Sequence, residues 1–133
     1  MESVKRYLLD THTFLWAVQE EKKLSAAARQ IIENADNELF VSAISAFEIA
    51  NKYRIGKLPD YEYIVDNYPY IVLKLQAQEL PVNTAHAFFA AKFEWDHKDP
   101  FDRILVSQAS IENIPILTND ATISSLPWIE TIW

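Results

Sequence analysis

Short apolar runs alternate with longer stretches in which apolar residues recur at helical spacing. Tyr7-Leu8-Leu9 is a run of the first kind; it ends at Asp10 and predicts a strand buried on both faces. Thr11 to Val18 predicts a short helix with Phe14, Leu15 and Val18 on one side. Ser25 is a suitable N-cap for a helix over 26–35, where Ala28, Ile31, Ile32 and Ala35 repeat, and Asp36-Asn37 stops it. Leu39 to Val41 predicts a second buried strand. The next helix is expected over 45–55, with Ser45-x-x-Glu48 as a capping box and Gly56 as the left-handed residue after its end. Residues 60–77 have a helical pattern that Pro69 interrupts. A weaker third strand is expected over 80–82, then a helix capped by Thr84, then a helix with Asp99 as N-cap and Pro100 at its first position. Ile114 to Leu117 predicts a fourth strand and 128–133 a fifth.

Strands that alternate with helices predict an α/β protein: a three-layer α/β/α sandwich around a parallel sheet of about five strands. No Pro/Ser linker or repeat divides the 133 residues, so one domain over 1–133 is expected. Ligands of such sheets bind beyond the carboxyl ends of the strands, and the residues there are the ones to read for chemistry.

Asp10 follows the first strand directly, and Thr118, Asn119 and Asp120 follow the fourth. Glu48 stands early in the helix after the second strand, and Asp99 and Asp102 open the helix that leads back to the fourth. Carboxylates gathered at one edge repel each other unless some take up protons or a cation joins them. A hard divalent ion such as Mg²⁺ suits an all-oxygen set and can neutralise charge that grows on a phosphate. The constellation points to metal-assisted hydrolysis of a phosphodiester. Each acid also has a structural alternative: Glu48 as a capping-box partner, Asp99 as an N-cap, Asp120 as a cap for the stretch 121–126. Thr11, Thr118 and Asn119 flank the acids and can hydrogen-bond a carboxylate or a phosphate, or cap helices. Arg103 can orient a carboxylate, meet a phosphate or lie solvated on its helix.

Composition removes competitors. Cys is absent, so there is no thiolate ligand, nucleophile or disulfide; a single Gly (Gly56) excludes phosphate-binding glycine loops. His12, His86 and His97 have no zinc-site spacing and are read as non-ligands, with His97 near the substrate. The net charge of −7 repels nucleic acid at long range, which leaves any phosphate-binding track to local clusters such as Lys52, Arg54 and Lys57, or Lys92, His97 and Lys98. The start lacks a signal-peptide core and uncharged runs are far below membrane-span length, so a cytoplasmic protein that does not enter a membrane is expected.

The segments LLDTHTFLW (8–16), VSAISAFEIANKYRIGKL (41–58), LPVNTAHAFFAAKFEWDHKDPFDRILVSQA (80–109) and IPILTND (114–120) resemble the PIN-domain family, and within it the VapC-type toxins of toxin–antitoxin modules. HKDPFDRILVSQA (97–109) is the most specific of these. The resemblance implies a Mg²⁺- or Mn²⁺-dependent endoribonuclease whose acids are Asp10, Glu48, Asp102 and Asp120, with Asp99 as a further acid that is either a ligand or a cap. It also implies an RNA substrate, a protein antitoxin and a homodimer, with the tyrosines of residues 53–70 and Trp16 available for packing or interfaces. A phosphatase of the D-x-D type is disfavoured because Asp10 is followed by His12, and a receiver domain because its phosphoacceptor Asp and partner Lys are not evident. The remaining alternative is a PIN-like module that binds RNA or protein without cutting it.

Overall fold

The computed structural model describes residues 4–133; the first three residues of the start read above lie outside the described residues. The first strand, β1 (Arg6–Leu9), leads into α1 (Thr11–Gln19), a 3₁₀ turn at Glu21–Lys23 and α2 (Ala26–Glu33). β2 (Glu38–Ser42) is followed by α3 (Ala43–Arg54), α4 (Glu62–Asp66) and α5 (Tyr68–Lys74). β3 (Ala77–Leu80), α6 (Thr84–Lys92), α7 (Pro100–Glu112), β4 (Ile116–Leu117), α8 (Ala121–Ser124) and β5 (Thr131–Ile132) complete the chain.

The strands form one parallel sheet in the order β3-β2-β1-β4-β5. β1 is central, and its side chains alternate between the two faces. Tyr7 and Leu9 join Phe14, Leu15, Leu39, Val41, Ile49, Ile64 and Ile71 in one core. Leu8 joins Leu105, Val106, Ala109, Ile116 and Ile123 in the other. The two clusters are the two interfaces of an α/β/α sandwich, as the buried runs predict.

Several local expectations shift. The helix after β2 starts two residues before Ser45, because Ser42 caps it through Ile44 N–H. Ser45 and Glu48 therefore lie inside α3 and form no capping box. Gly56 has φ of +82° and ends α3 as foreseen, with its N–H on Tyr53 O and that of Lys57 on Lys52 O, a Schellman pair. The 60–77 helix is two helices that meet at Asn67 (φ −125°), with Pro69 in the first turn of the second. The third strand lies at 77–80 rather than 80–82, and residues 81–83 are irregular. Asn83, not Thr84, caps α6, in a reciprocal pair with His86. Asp99 caps α7 by accepting from Phe101 N–H, and Pro100 opens it, as the sequence indicates. β4 and β5 are two residues each, the innermost parts of the expected strands.

Candidate active site

Reversal of the strand order beside β1 opens a crevice between the carboxyl ends of β1 and β4. Asp10 enters it from β1. Its backbone N–H is held by Leu117 O, and one carboxylate oxygen caps α1 through Thr13 N–H at 2.8 Å. Its other oxygen accepts from the Thr118 hydroxyl, whose oxygen in turn accepts from Asp120 N–H at 2.9 Å. Thr118 is buried and thus ties the acid of β1 to the acid that follows β4. Asp120 caps α8 through Thr122 N–H, and Asn119 beside it is exposed.

Glu48 is brought to the same edge by α3, which packs against α1 and α7. It is only 6% exposed. The Thr11 hydroxyl donates to its Oε1 at 2.7 Å and also meets Ser45 Oγ at 2.9 Å, while Lys52 pairs with Oε2. The explanation of Glu48 as a cap falls with the capping box; the alternative of a helix pair with Lys52 one turn on is present, and Thr11 holds the other oxygen at the edge where Asp10 stands. Glu48→Gln keeps the Thr11 hydrogen bond and removes the charge. We expect its melting temperature, followed by differential scanning fluorimetry, to stay near wild type, because an exposed-rim ion pair contributes little to stability; a large fall would show that the charge itself holds α3 in place.

Asp102 lies in the first turn of α7, and its Oδ2 is 2.7 Å from His97 Nε2. Burial pushes its carboxyl up to about 6, opposed by the His97 hydrogen bond and aided by the charges of Asp99 and Asp120. Asp10 is also raised above the ordinary aspartate range by burial, against the hydrogen bonds from Thr118 and Thr13.

The acids thus share one edge without converging on a point. Among the described residues, only His97, Asp99 and Asp102 offer ligand atoms that all lie within 4.8 Å of one another. Asp10, Glu48 and Asp120 are each held by nearby donors: Thr118 and Thr13 N–H, Thr11 and Lys52, and Thr122 N–H respectively. His97, read as a non-ligand in the sequence, is the residue that joins the set; the spacing His97-x-Asp99-x-x-Asp102 at the mouth of a helix was its signal.

Arg103 departs furthest from its expected roles. Its guanidinium donates to the carbonyls of Ala90, Phe93, Trp95 and His97 and stacks 4.4 Å from the Phe93 ring centroid. It touches no carboxylate; it shapes the loop that presents His97. Of the basic residues, Lys52 is engaged by Glu48 and Arg54 by Asn51, while Lys57, Lys92 and Lys98 are exposed. A cleft of about 230 Å³ at the acids is lined by Asp10, His12, Trp16, Asn119 and Asp120. A larger hollow of about 560 Å³ around Lys5, Tyr7 and Asn34 lies at the opposite, amino-terminal edge of the sheet, away from the acids.

A parallel α/β/α sandwich with carboxylates from two strand ends, the middle of α3 and the mouth of α7 at its switch point defines the class. A PIN-domain profile matches residues 7–129, and the chain belongs to the PIN-domain family. Among curated proteins it is similar to ribonuclease VapC22 of Mycobacterium tuberculosis, 56% identical over 43 residues (32% of each chain). It is also similar to ribonuclease VapC16 of the same organism, 38% identical over 58 residues (44% of this chain and 41% of the relative). These alignments span only about a third to two-fifths of the relatives' lengths. Among solved structures, DNA-bound VapBC from Salmonella typhimurium superposes with a TM-score of 0.68 at 16% identity over 98% of both chains. VapBC2 from Rickettsia felis, bound to a promoter DNA fragment, gives 0.65 at 15% identity over 96% of this chain and 97% of that one. At such identities the likeness is one of fold.

Proposed function

We propose that this PIN domain is a metal-dependent endoribonuclease that hydrolyses RNA phosphodiester bonds, and that it is the toxin of a toxin–antitoxin pair. The observation that carries the reading is a set of acids from β1, α3, α7 and the β4 loop on one edge of the sheet, with Asp10 and Asp102 held above the ordinary carboxylate range. The ribonuclease names of the two curated relatives support the activity, and the VapBC assemblies among the structural neighbours support an antitoxin partner.

The donor set fits Mg²⁺ or Mn²⁺: oxygen donors dominate, Cys is absent, and buried carboxyls that resist ionisation gain from a nearby divalent charge. Asp10, Glu48, Asp102 and Asp120 would hold the ion, directly or through water, with Asp99 occupied in part as a cap. Bound there, it would supply charge neutralisation at the phosphate and a more acidic water. The chain's own residues do the rest. Thr118 and Thr13 N–H fix the Asp10 carboxylate, Thr11 fixes that of Glu48, and His97 fixes that of Asp102. Acids held in this way are positioned to orient a water and take its proton as it attacks. Lys52, at the rim beside Glu48, is placed to meet a phosphate oxygen.

The reading extends to a single domain over 1–133, a homodimer and a cytoplasmic setting. No helix among the described residues is long and apolar enough to cross a membrane. Exposed Tyr63 and Tyr70 offer interface surface, whereas Trp16, Tyr53, Tyr61 and Tyr68 are half-buried. The test is cleavage of end-labelled RNA by purified protein. Cutting is expected with Mg²⁺ or Mn²⁺, loss with EDTA, and loss of at least a hundredfold or so in Asp10→Asn. Wild-type and Asp10→Asn proteins that leave the RNA equally intact would return the silent binding module to first place.

A further inference from the structure

The cleft beside the acids has one wall that hydrolysis does not use. His12 and Trp16 stand one turn apart on α1, with ring centroids 5.9 Å apart and planes tilted by 48°. His12 is exposed, two residues from Asp10, and the fold gives its ring no core to fill. Trp16 is half-buried and fixed from behind: Trp133 packs edge-on at 5.8 Å, and the Lys23 ammonium lies 5.7 Å from its ring centroid. Asn119, exposed on the loop after β4, lines the same cleft with an amide that both donates and accepts hydrogen bonds.

This is an aromatic surface, braced by Trp133 and Lys23, that lines the cleft next to Asp10 and Asp120. The surrounding acids repel a strand's phosphates but not the neutral face of a base. Stacking on aromatic rings with polar contacts to base edges is how proteins read unpaired RNA, whose bases can be splayed from the strand. A duplex keeps those faces covered. We infer that the His12–Trp16 wall and Asn119 form a base-binding subsite. It seats one nucleobase of a single-stranded RNA beside Asp10 and thereby helps set which sequence is cut. The inference rests on the nuclease reading for its substrate, but binding can be measured apart from cleavage.

The experiment titrates a short single-stranded oligoribonucleotide that contains 2-aminopurine, whose fluorescence is quenched on stacking, with wild type, His12→Ala, His12→Phe and Trp16→Leu in millimolar Ca²⁺, a hard divalent ion of looser coordination than Mg²⁺, with the strand verified intact after each titration. Wild type is expected to bind saturably and quench. His12→Ala, at an exposed position where folding is insulated, is expected to bind about 5- to 100-fold more weakly, as loss of a stacking partner does. Trp16→Leu is expected to behave similarly, and His12→Phe to restore affinity and quenching because a ring without titratable nitrogens stacks as well. Retained affinity in both His12→Ala and Trp16→Leu overturns the subsite, as does a wild type that binds no single strand or a His12→Phe that fails like alanine. A wild type that binds and quenches yet leaves the strand whole in Mg²⁺ and Mn²⁺ overturns the nuclease reading and leaves the subsite standing.

Discussion

Asp102→Asn is expected to abolish RNA cleavage and, in EDTA at pH 7.5, to melt at a higher temperature than wild type. The loss of activity follows from its place in the acid set. The gain in stability follows from burial. The folded-state carboxyl is raised to about 6, above its value of 3.8 in a model peptide. Between those values the folded chain binds more protons than the unfolded one, so stability falls as pH rises through the window and stays reduced above it. An amide of the same shape carries no such penalty. After allowance for the lost charge-assisted bond to His97, the gain is about 1–3 kcal/mol. Differential scanning at pH 7.5 and pH 4 in EDTA checks the sign: the variant leads at the higher pH and the lead closes at the lower. Mg²⁺ should raise the melting temperature of wild type more than that of the variant. A variant that melts below wild type at pH 7.5 would mean that Asp102 is held by its partners rather than strained by its surroundings.

The second large effect belongs to a residue outside the chemistry. Arg103→Met keeps the length of the side chain and removes the guanidinium that serves four backbone carbonyls between Ala90 and His97. Charge-assisted hydrogen bonds contribute more than neutral ones, and carbonyls left without donors cost further. The expected destabilisation is roughly 3 kcal/mol, measured by urea unfolding. Because His97 rides on the same loop, cleavage by the folded fraction is expected to fall as well. Arg103→Lys, with a point charge in place of a fork, is expected to recover only part of the loss. If Arg103→Met unfolds at the wild-type midpoint, the loop holds its shape by aromatic packing alone.

The sheet was legible because β1, β2 and β4 are buried on both faces and their runs are uninterrupted. β3 was misplaced by three residues because its side chains are half-exposed and no apolar run marks it. The helix mouths were legible wherever one residue had a single use, as with Ser25, Asp99-Pro100 and Gly56. They failed where two candidates competed: Ser42 against Ser45, and Asn83 against Thr84. In both cases the hydroxyl that begins an apolar pattern looks like the cap, whereas the helix begins earlier: directly after β2 behind Ser42, and after three irregular residues behind Asn83. Asp10, Asp102 and Asp120 could be named because each sits just past a strand or at a helix start; Glu48 could be named from a helix start that the structure moves upstream, so it stands in mid-helix. What their spacing could not reveal is the partner each oxygen chooses. The hydroxyls of Thr11 and Thr118 act on residues 37 and 108 positions away. The guanidinium of Arg103, next to a site acid, serves the backbone instead.

Asp10 lies near the start of the chain, yet the groups that fix it, Leu117 O and the Thr118 hydroxyl, belong to the last strand but one. Thr13 N–H, from the helix that follows, can hold one oxygen of the acid by itself, but the other finds Thr118 only where β1 and β4 are paired. Fraying of the two-residue strand β4 would therefore release that oxygen and dissolve the floor of the cleft while most of the sheet stays intact.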